Sequence, residues 1–236
     1  MALIRSSCFL LLLFIHFQGV AQSKYRTAPG DPNGIDKWYM GRQIAHVMSH
    51  YGIPWLERAE RQEEEDTDLL LRNLGLKEGM QVADIGAGSG YHSVRIARRI
   101  GSGRVYAVDV SPEMVDHLGE RVKRESIRNI NCVLGSEQDI PLKERSIDLI
   151  LMVDVYHEFS HPYEMAQAMR RILRDEGRIC LVEFRGEDAS VPIKKIHKMT
   201  EAQAVREFEA SGFELERNIS NLPWQHCLVF RKRPSK

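Results

Sequence analysis

From residue 80 onward, short apolar runs alternate with segments whose apolar residues recur at helical spacing. The runs predict strands at 81–85, 104–109, 130–134, 147–153, 178–184, 213–218 and 225–231. The periodic segments predict helices at 90–100, 112–124, 162–174 and 200–211. Glycines 75, 79, 101, 103, 177 and 212 punctuate the joints. Apolar strands alternating with amphipathic helices imply an α/β fold: a Rossmann-like, doubly wound, seven-stranded and mainly parallel sheet. No helical pattern separates the last two strands, so they are expected to close the sheet as an antiparallel hairpin. Upstream, Trp38, Tyr39, Ile44, Ala45, Val47 and Met48 fit a helix starting at Asp36. A second helix is expected from roughly Trp55 to Leu74, set apart by Gly52 and Pro54. Its acidic run at 63–66 suits a helix N-terminal turn facing solvent. The organisation expected is a linker at 22–36, a helical cap at 37–76 and the main domain at 77–236.

Composition changes this picture at the N-terminus. Arg5 precedes a nearly uninterrupted apolar stretch from Cys8 to Phe17, and Gly19-Val20-Ala21 supplies small residues for a peptidase. This is the pattern of a secretory signal peptide over 1–21, too short for a comfortable membrane span. An exported protein, periplasmic or extracellular and without stable membrane insertion after cleavage, is the expectation, with an uncleaved N-terminal anchor as the alternative. The whole chain is 43 % apolar and 28 % charged, as a soluble domain with a real core would be. Its 33 basic and 33 acidic residues balance, so nothing electrostatic points to nucleic acid. Beyond the leader remain Cys132, Cys180 and Cys227, each in a predicted strand and none in a C-x-x-C pair. Buried thiols are the expected state, and pairing or oligomeric state is not legible.

The chemistry concentrates where the first main-domain strand ends. VADIGAGSGY at 82–91 runs from strand through three alternate glycines into a helix. Such a loop lets a ligand approach the backbone at the carboxyl edge of an open sheet. Nineteen residues after Gly90, RVYAVD ends in Asp109, placed to accept hydrogen bonds from ribose hydroxyls. A dinucleotide fingerprint would need a small residue at position 91, where Tyr91 stands. The spacing D-x-G-x-G-x-G instead resembles the cofactor loop of class I S-adenosylmethionine-dependent methyltransferases. VYAVDVSPEM at 105–114, GSEQDIPL at 135–142, SIDLILMVDVYHEF at 146–159 and LRDEGRICLVEF at 173–184 extend that resemblance over about 80–232. WYMGRQIAHVM, DVYHEFSHP, VPIKKIHKMT and LPWQH further resemble a group of exported bacterial methyltransferase-like proteins. The resemblance implies S-adenosylmethionine as cofactor. Its expected contacts are Asp84, Gly86, Ala87, Gly88, Gly90, Asp109, Val110 and Asp154, with Ser136 and Glu137 at the adenine edge and Asp139 as an alternative there.

YHEFSHP at 156–162 contains an H-E-x-x-H match, a pattern that binds zinc when both histidines share one helix face. Here an apolar strand precedes it, and Pro162 opens the following helix directly after His161. The two histidines therefore fall on different elements, and no metal site is expected. In class I methyltransferases the loop after the fourth strand faces the acceptor. Tyr156, His157 and Glu158 are thus candidates to orient an acceptor or take its proton. Glu183, His197 and His226 are further polar candidates, and Trp38, Tyr39 and Trp55 could roof the cofactor. The expectation is methyl transfer to a small-molecule acceptor. The alternative is a non-catalytic S-adenosylmethionine or nucleoside-binding protein on the same fold.

Overall fold

The computed structural model describes residues 24–234, so the leader expected at 1–21 lies outside the described residues. Seven strands form the main sheet: β4 (Gln81–Ile85), β5 (Arg104–Asp109), β6 (Ile130–Leu134), β7 (Ile147–Val153), β8 (Leu173–Phe184), β9 (Phe213–Asn218) and β10 (Gln225–Lys232). Their order is β6-β5-β4-β7-β8-β10-β9. The pairs from β6 through β8 are parallel, whereas β10 runs antiparallel to both β8 and β9. The expected hairpin is present, with β10 slotted between β8 and β9.

Helices cover both faces. On one side α3 (Thr67–Asn73), α4 (Tyr91–Ala97) and α5 (Pro112–Arg124) pack Leu70, Val94, Ile96 and Leu118 against Val82, Val105 and Leu151. On the other, α6 (Pro162–Ile172) and α7 (Glu201–Ala210) bury Met165, Met169, Ala204 and Phe208 against Ala83, Ile150 and Leu181. Neighbouring strand residues thus feed opposite cores, which is why the central strands read as continuous apolar runs. Ser111 caps α5 by accepting from the Met114 amide, with Pro112 at the first helical position. Thr200 caps α7 in the same way through the Gln203 amide.

The N-terminal expectation is corrected. Residues 25–45 form an antiparallel sheet of β1 (Tyr25–Thr27), β2 (Gly34–Tyr39) and β3 (Arg42–Ala45), not a linker and a helix. Met40 and Gly41 both take positive φ, 46° and 98°, which makes a tight two-residue hairpin turn between β2 and β3. Asp36 also has positive φ, 54°, where the β2–β3 register shifts. The apolar spacing that mimicked a helix belongs to two short strands with a reversal between them. The second expected helix is broken into α1 (Ile53–Leu56), α2 (Arg61–Glu65) and α3, because Asp66 turns left-handed at φ 46° and caps α3 through the Leu69 amide. The acidic run does not simply face solvent. Glu65 is buried and bonds Arg58 and Arg61, each at 2.7 Å. Arg42 joins the small sheet to the main domain: its guanidinium pairs bidentately with Glu207 of α7 and donates to the His157 carbonyl.

Candidate functional site

A cleft enclosing about 850 Å³, its open mouth included, lies at the carboxyl ends of β4, β5 and β7. The glycine loop forms its floor. Gly86 and Ala87 donate to the Val108 carbonyl at 2.8 and 3.0 Å, which ties the loop to β5. Gly86, Gly88 and Gly90 all have positive φ. A Cβ on Gly86 would meet Val155 at 2.3 Å, and one on Gly90 would meet Leu118 at 2.2 Å, so side chains are barred by both strain and space. Gly86 and Gly88 line the cleft; Ala87 and Gly90 shape the loop behind it.

Asp109 ends β5 on the cleft wall. Its Oδ2 accepts from the Gly88 amide at 2.8 Å and its Oδ1 from the Ser111 amide at 2.9 Å. Each oxygen keeps capacity for a further donor, as ribose recognition requires. Burial raises its pKa, with the backbone bonds opposing. Val110 and Met114 give apolar surface beside it, and Gly135, Ser136 and Glu137 border the same wall. Ser136 closes its own loop by accepting from the Asp139 amide at 3.0 Å. Glu137 is exposed and sits 3.4 Å from His161. Asp139 pairs with Arg171 at 2.7 Å and does not line the cleft.

Asp154 follows β7 with φ 50° and reaches the cleft wall. Its Oδ2 accepts from Gln225 at 2.6 Å, while its buried Oδ1 has no hydrogen-bond partner among the described residues. Burial, then the charges of Glu65 and Glu183, raise its pKa well above the ordinary value. Such a half-satisfied carboxylate is suited to a cationic ligand group. Asp84 sits one layer back, accepting from Ser93 Oγ at 2.6 Å, and burial lifts its pKa to about 6.

The acceptor-side triplet separates into three environments. The structure corrects the expectation that Tyr156 faces the cleft: its ring is fully buried between Phe159 and Phe208. His157 is also buried and off the cleft. Glu183 Oε1 accepts from its backbone amide at 3.1 Å, and Oε2 bonds its Nδ1 at 2.7 Å. Its Nε2 faces His197 Nδ1 at 3.1 Å. Burial alone would lower the His157 pKa, but the Glu183 charge and hydrogen bond turn the net shift upward. Burial and the neighbouring His157 push His197 down to about 4. Only Glu158 of the three lines the cleft. Burial lifts its pKa to about 7 against the opposing effects of His157 and of the Met48 amide, which donates to Oε2 at 3.2 Å.

His161 stands before α6 and bonds Ser160 at 3.0 Å, apart from His157. His226 bonds Glu187 at 2.8 Å. Trp38, Tyr39 and Trp55 do not roof the cleft; Val47, Met48 and Leu56 do. Sequence reasoning missed these three because they belong to the misread N-terminal region. Arg42 and the approach of His197 to His157 were missed because no local spacing encodes either.

Three comparisons place this geometry among known proteins. Residues 82–177 match a family model described as a methyltransferase domain. An uncharacterised methyltransferase-like protein of Schizosaccharomyces pombe is 33 % identical over 134 residues, 56 % of this chain and 49 % of that protein. An uncharacterised methyltransferase of Bacillus subtilis is 24 % identical over 166 residues, 69 % of this chain and 65 % of that one. The chain thus spans half to two thirds of the length of these curated relatives. The crystal structure of a SAM-dependent methyltransferase from Aquifex aeolicus superposes with a TM-score of 0.74 at 25 % identity, over 78 % of this chain and 98 % of that one. The glycine loop and the strand-end acid lie within the matched segment. Residues 82–177 thus match a methyltransferase domain, and they lie on the fold of a SAM-dependent methyltransferase.

Proposed function

We propose that this protein is an exported methyltransferase acting on a small molecule. The observation that carries the reading is the joining, in one cleft, of a glycine-floored cofactor wall with the ionisable Glu158. The residues present fit S-adenosylmethionine. Gly86 and Gly88 leave the backbone open to it, Asp109 has free acceptor capacity for its ribose, and Val110 and Met114 offer an apolar face for its adenine. Ser136 and Glu137 border the adenine edge. Asp154 Oδ1, lacking a partner, takes the methionine ammonium group, with the Asp84 charge behind it. When bound, S-adenosylmethionine supplies an electrophilic methyl group whose bond to sulfur breaks as the acceptor atom bonds the carbon.

Everything else falls to the chain. Val47, Met48, Leu56 and Phe159 exclude water from the cleft. The cleft aligns the two reactants, which supplies most of the rate. Glu158, with a pKa of about 7, takes the proton of a protonated acceptor near neutral pH. Export rests on the N-terminal pattern, and a cleft lined by Asp109, Glu137, Asp154 and Glu158, with no basic side chain among the described residues, favours a small acceptor over a nucleic acid. Calorimetry on the chain from residue 22 onward with S-adenosylhomocysteine tests the cofactor reading: one site per chain is expected, and no binding refutes it. A labelled-methyl screen against periplasmic small-molecule extracts then tests catalysis. Binding without any labelled product would favour the non-catalytic alternative.

A further inference from the structure

The histidine of the YHEF segment has a partner, but it is not His161. The 3-10 turn Tyr156–Glu158 places His157 and Glu158 side by side, and the turn Lys195–His197 brings His197 against them. One ligand atom from each lies within 4.8 Å of the others. His157 Nε2 is 3.1 Å from His197 Nδ1 and 3.8 Å from Glu158 Oε1. Metal–nitrogen bonds of 2.0–2.1 Å at a tetrahedral angle would hold two imidazole nitrogens about 3.3 Å apart. The two histidines are already at that spacing. Glu158 Oε1 lies beyond that spacing and needs to move inward, by roughly half an ångström relative to His157 Nε2.

We propose that His157 Nε2, His197 Nδ1 and the Glu158 carboxylate form a binding site for one divalent cation of the zinc class, at the acceptor end of the cleft. Glu183 supports the assignment independently. It grips His157 at both its backbone amide and Nδ1, so Nε2 is the ring nitrogen turned toward the other two groups. A carboxylate holding the far nitrogen of a ligand histidine is the usual supporting arrangement at metal sites. Two imidazoles and one carboxylate suit zinc, ferrous iron or nickel better than magnesium or calcium. Three protein ligands leave a coordination position open, as at catalytic rather than structural zinc sites. Since Glu158 is part of the cleft wall, that position borders the cleft. A cation there binds an acceptor through oxygen or sulfur and lowers its pKa, with Glu158 then serving as ligand instead of base.

The site does not depend on methyl transfer, and the test keeps the two apart. The chain from residue 22 onward, stripped with a chelator, is titrated with Zn²⁺ against a chromophoric competitor and with Co²⁺ by visible absorption. One Zn²⁺ per chain and Co²⁺ d–d bands are expected. His157→Ala and His197→Ala should each weaken Zn²⁺ binding by at least about 100-fold, and Glu183→Gln by about 10- to 100-fold. His161→Ala should bind as the wild type does. Circular dichroism and S-adenosylhomocysteine binding report whether each variant is folded. His197 sits on a half-buried turn, so its variant stays informative if His157→Ala does not fold. Absence of stoichiometric Zn²⁺ binding by the wild type, or wild-type affinity in folded His197→Ala, overturns the proposal. Zn²⁺ binding without S-adenosylhomocysteine binding would refute the methyl-transfer reading and leave the metal site standing; the reverse result would do the opposite.

Discussion

Replacing Asp109 should separate cofactor recognition from folding. In the wild type its carboxylate receives the Gly88 and Ser111 amides at 2.8 and 2.9 Å, so it both fixes the loop and faces the ligand. In the proposed complex it also accepts from two ribose hydroxyls. A hydrogen bond to a charged group is worth about 1.5–3 kcal/mol, so losing two costs about 3–6 kcal/mol, or roughly 10²–10⁴ in Kd. Asp109→Ala should therefore weaken S-adenosylhomocysteine binding by at least about 100-fold in calorimetry. Asp109→Asn keeps one carbonyl acceptor but turns an NH₂ toward one of the backbone amides or the ribose. It should fall between Ala and wild type in affinity. Urea unfolding of both variants, without ligand, measures the separate cost of freeing the loop amides. The reasoning is refuted if Asp109→Ala, folded by that criterion, binds within threefold of wild type.

Three further outcomes follow from other residues. With chelator present, methyl transfer to a protonated acceptor should rise with pH through about 7, because Glu158 must lose its proton to act as base. Glu158→Gln should flatten that limb and lower kcat by about 10²–10⁴; an unchanged pH–rate profile would exclude the role. Asp84 has its folded pKa raised to about 6, so the folded state holds its proton more tightly than the unfolded state does. Stability from this group is complete at acidic pH and is lost as pH climbs through that window. Asp84→Asn should then raise unfolding stability by about 1–3 kcal/mol at pH 8. Little change is expected near pH 3, and equal effects at both pH values would contradict the assignment. Finally, Cys180 and Cys227 lie on adjacent antiparallel strands with sulfurs 3.4 Å apart, both free and buried, whereas Cys132 is half-buried. Diamide should oxidise the first two to a disulfide and leave one titratable thiol in the denatured chain from residue 22 onward. Three thiols surviving would count against it.

Most of the main sheet was readable because glycines and helix starts fence several of its strands. Ser111-Pro112 marks α5, Thr200 marks α7 and Pro162 marks α6, each with a local mechanism. The place of Asp109 at the end of β5 was readable because an apolar run leads into it and Ser111-Pro112 opens the next helix. The N-terminal sheet was not, because Trp38, Tyr39, Ile44 and Ala45 satisfy a helical period as well as they satisfy two strands. The deciding turn, Met40-Gly41, lacks the usual Asn-Gly or Asp-Gly signature. Tyr156, His157 and Glu158 share a tripeptide, yet one fills the core, one is clamped by Glu183 and one faces the cleft. A 3-10 turn scatters consecutive side chains in different directions, and their destinations depend on α7, β8 and the small sheet. That information is distributed over residues far apart in the chain. His197, forty positions after His157, is the clearest instance.

The position of β10 between β8 and β9 also dictates an order of assembly. The strands from β4 to β8 can pair with one another as they appear along the chain. β9 cannot: among the described residues its one partner in the sheet is β10, which follows it in sequence. A chain still lacking residues 225–232 would leave one whole edge of β8 open and β9 stranded beside it. An open apolar edge is a template for pairing with other chains. The closing strand therefore acts as a completion check: a molecule cut short within its last dozen residues keeps its cofactor loop yet cannot seal its sheet, and aggregation should remove it.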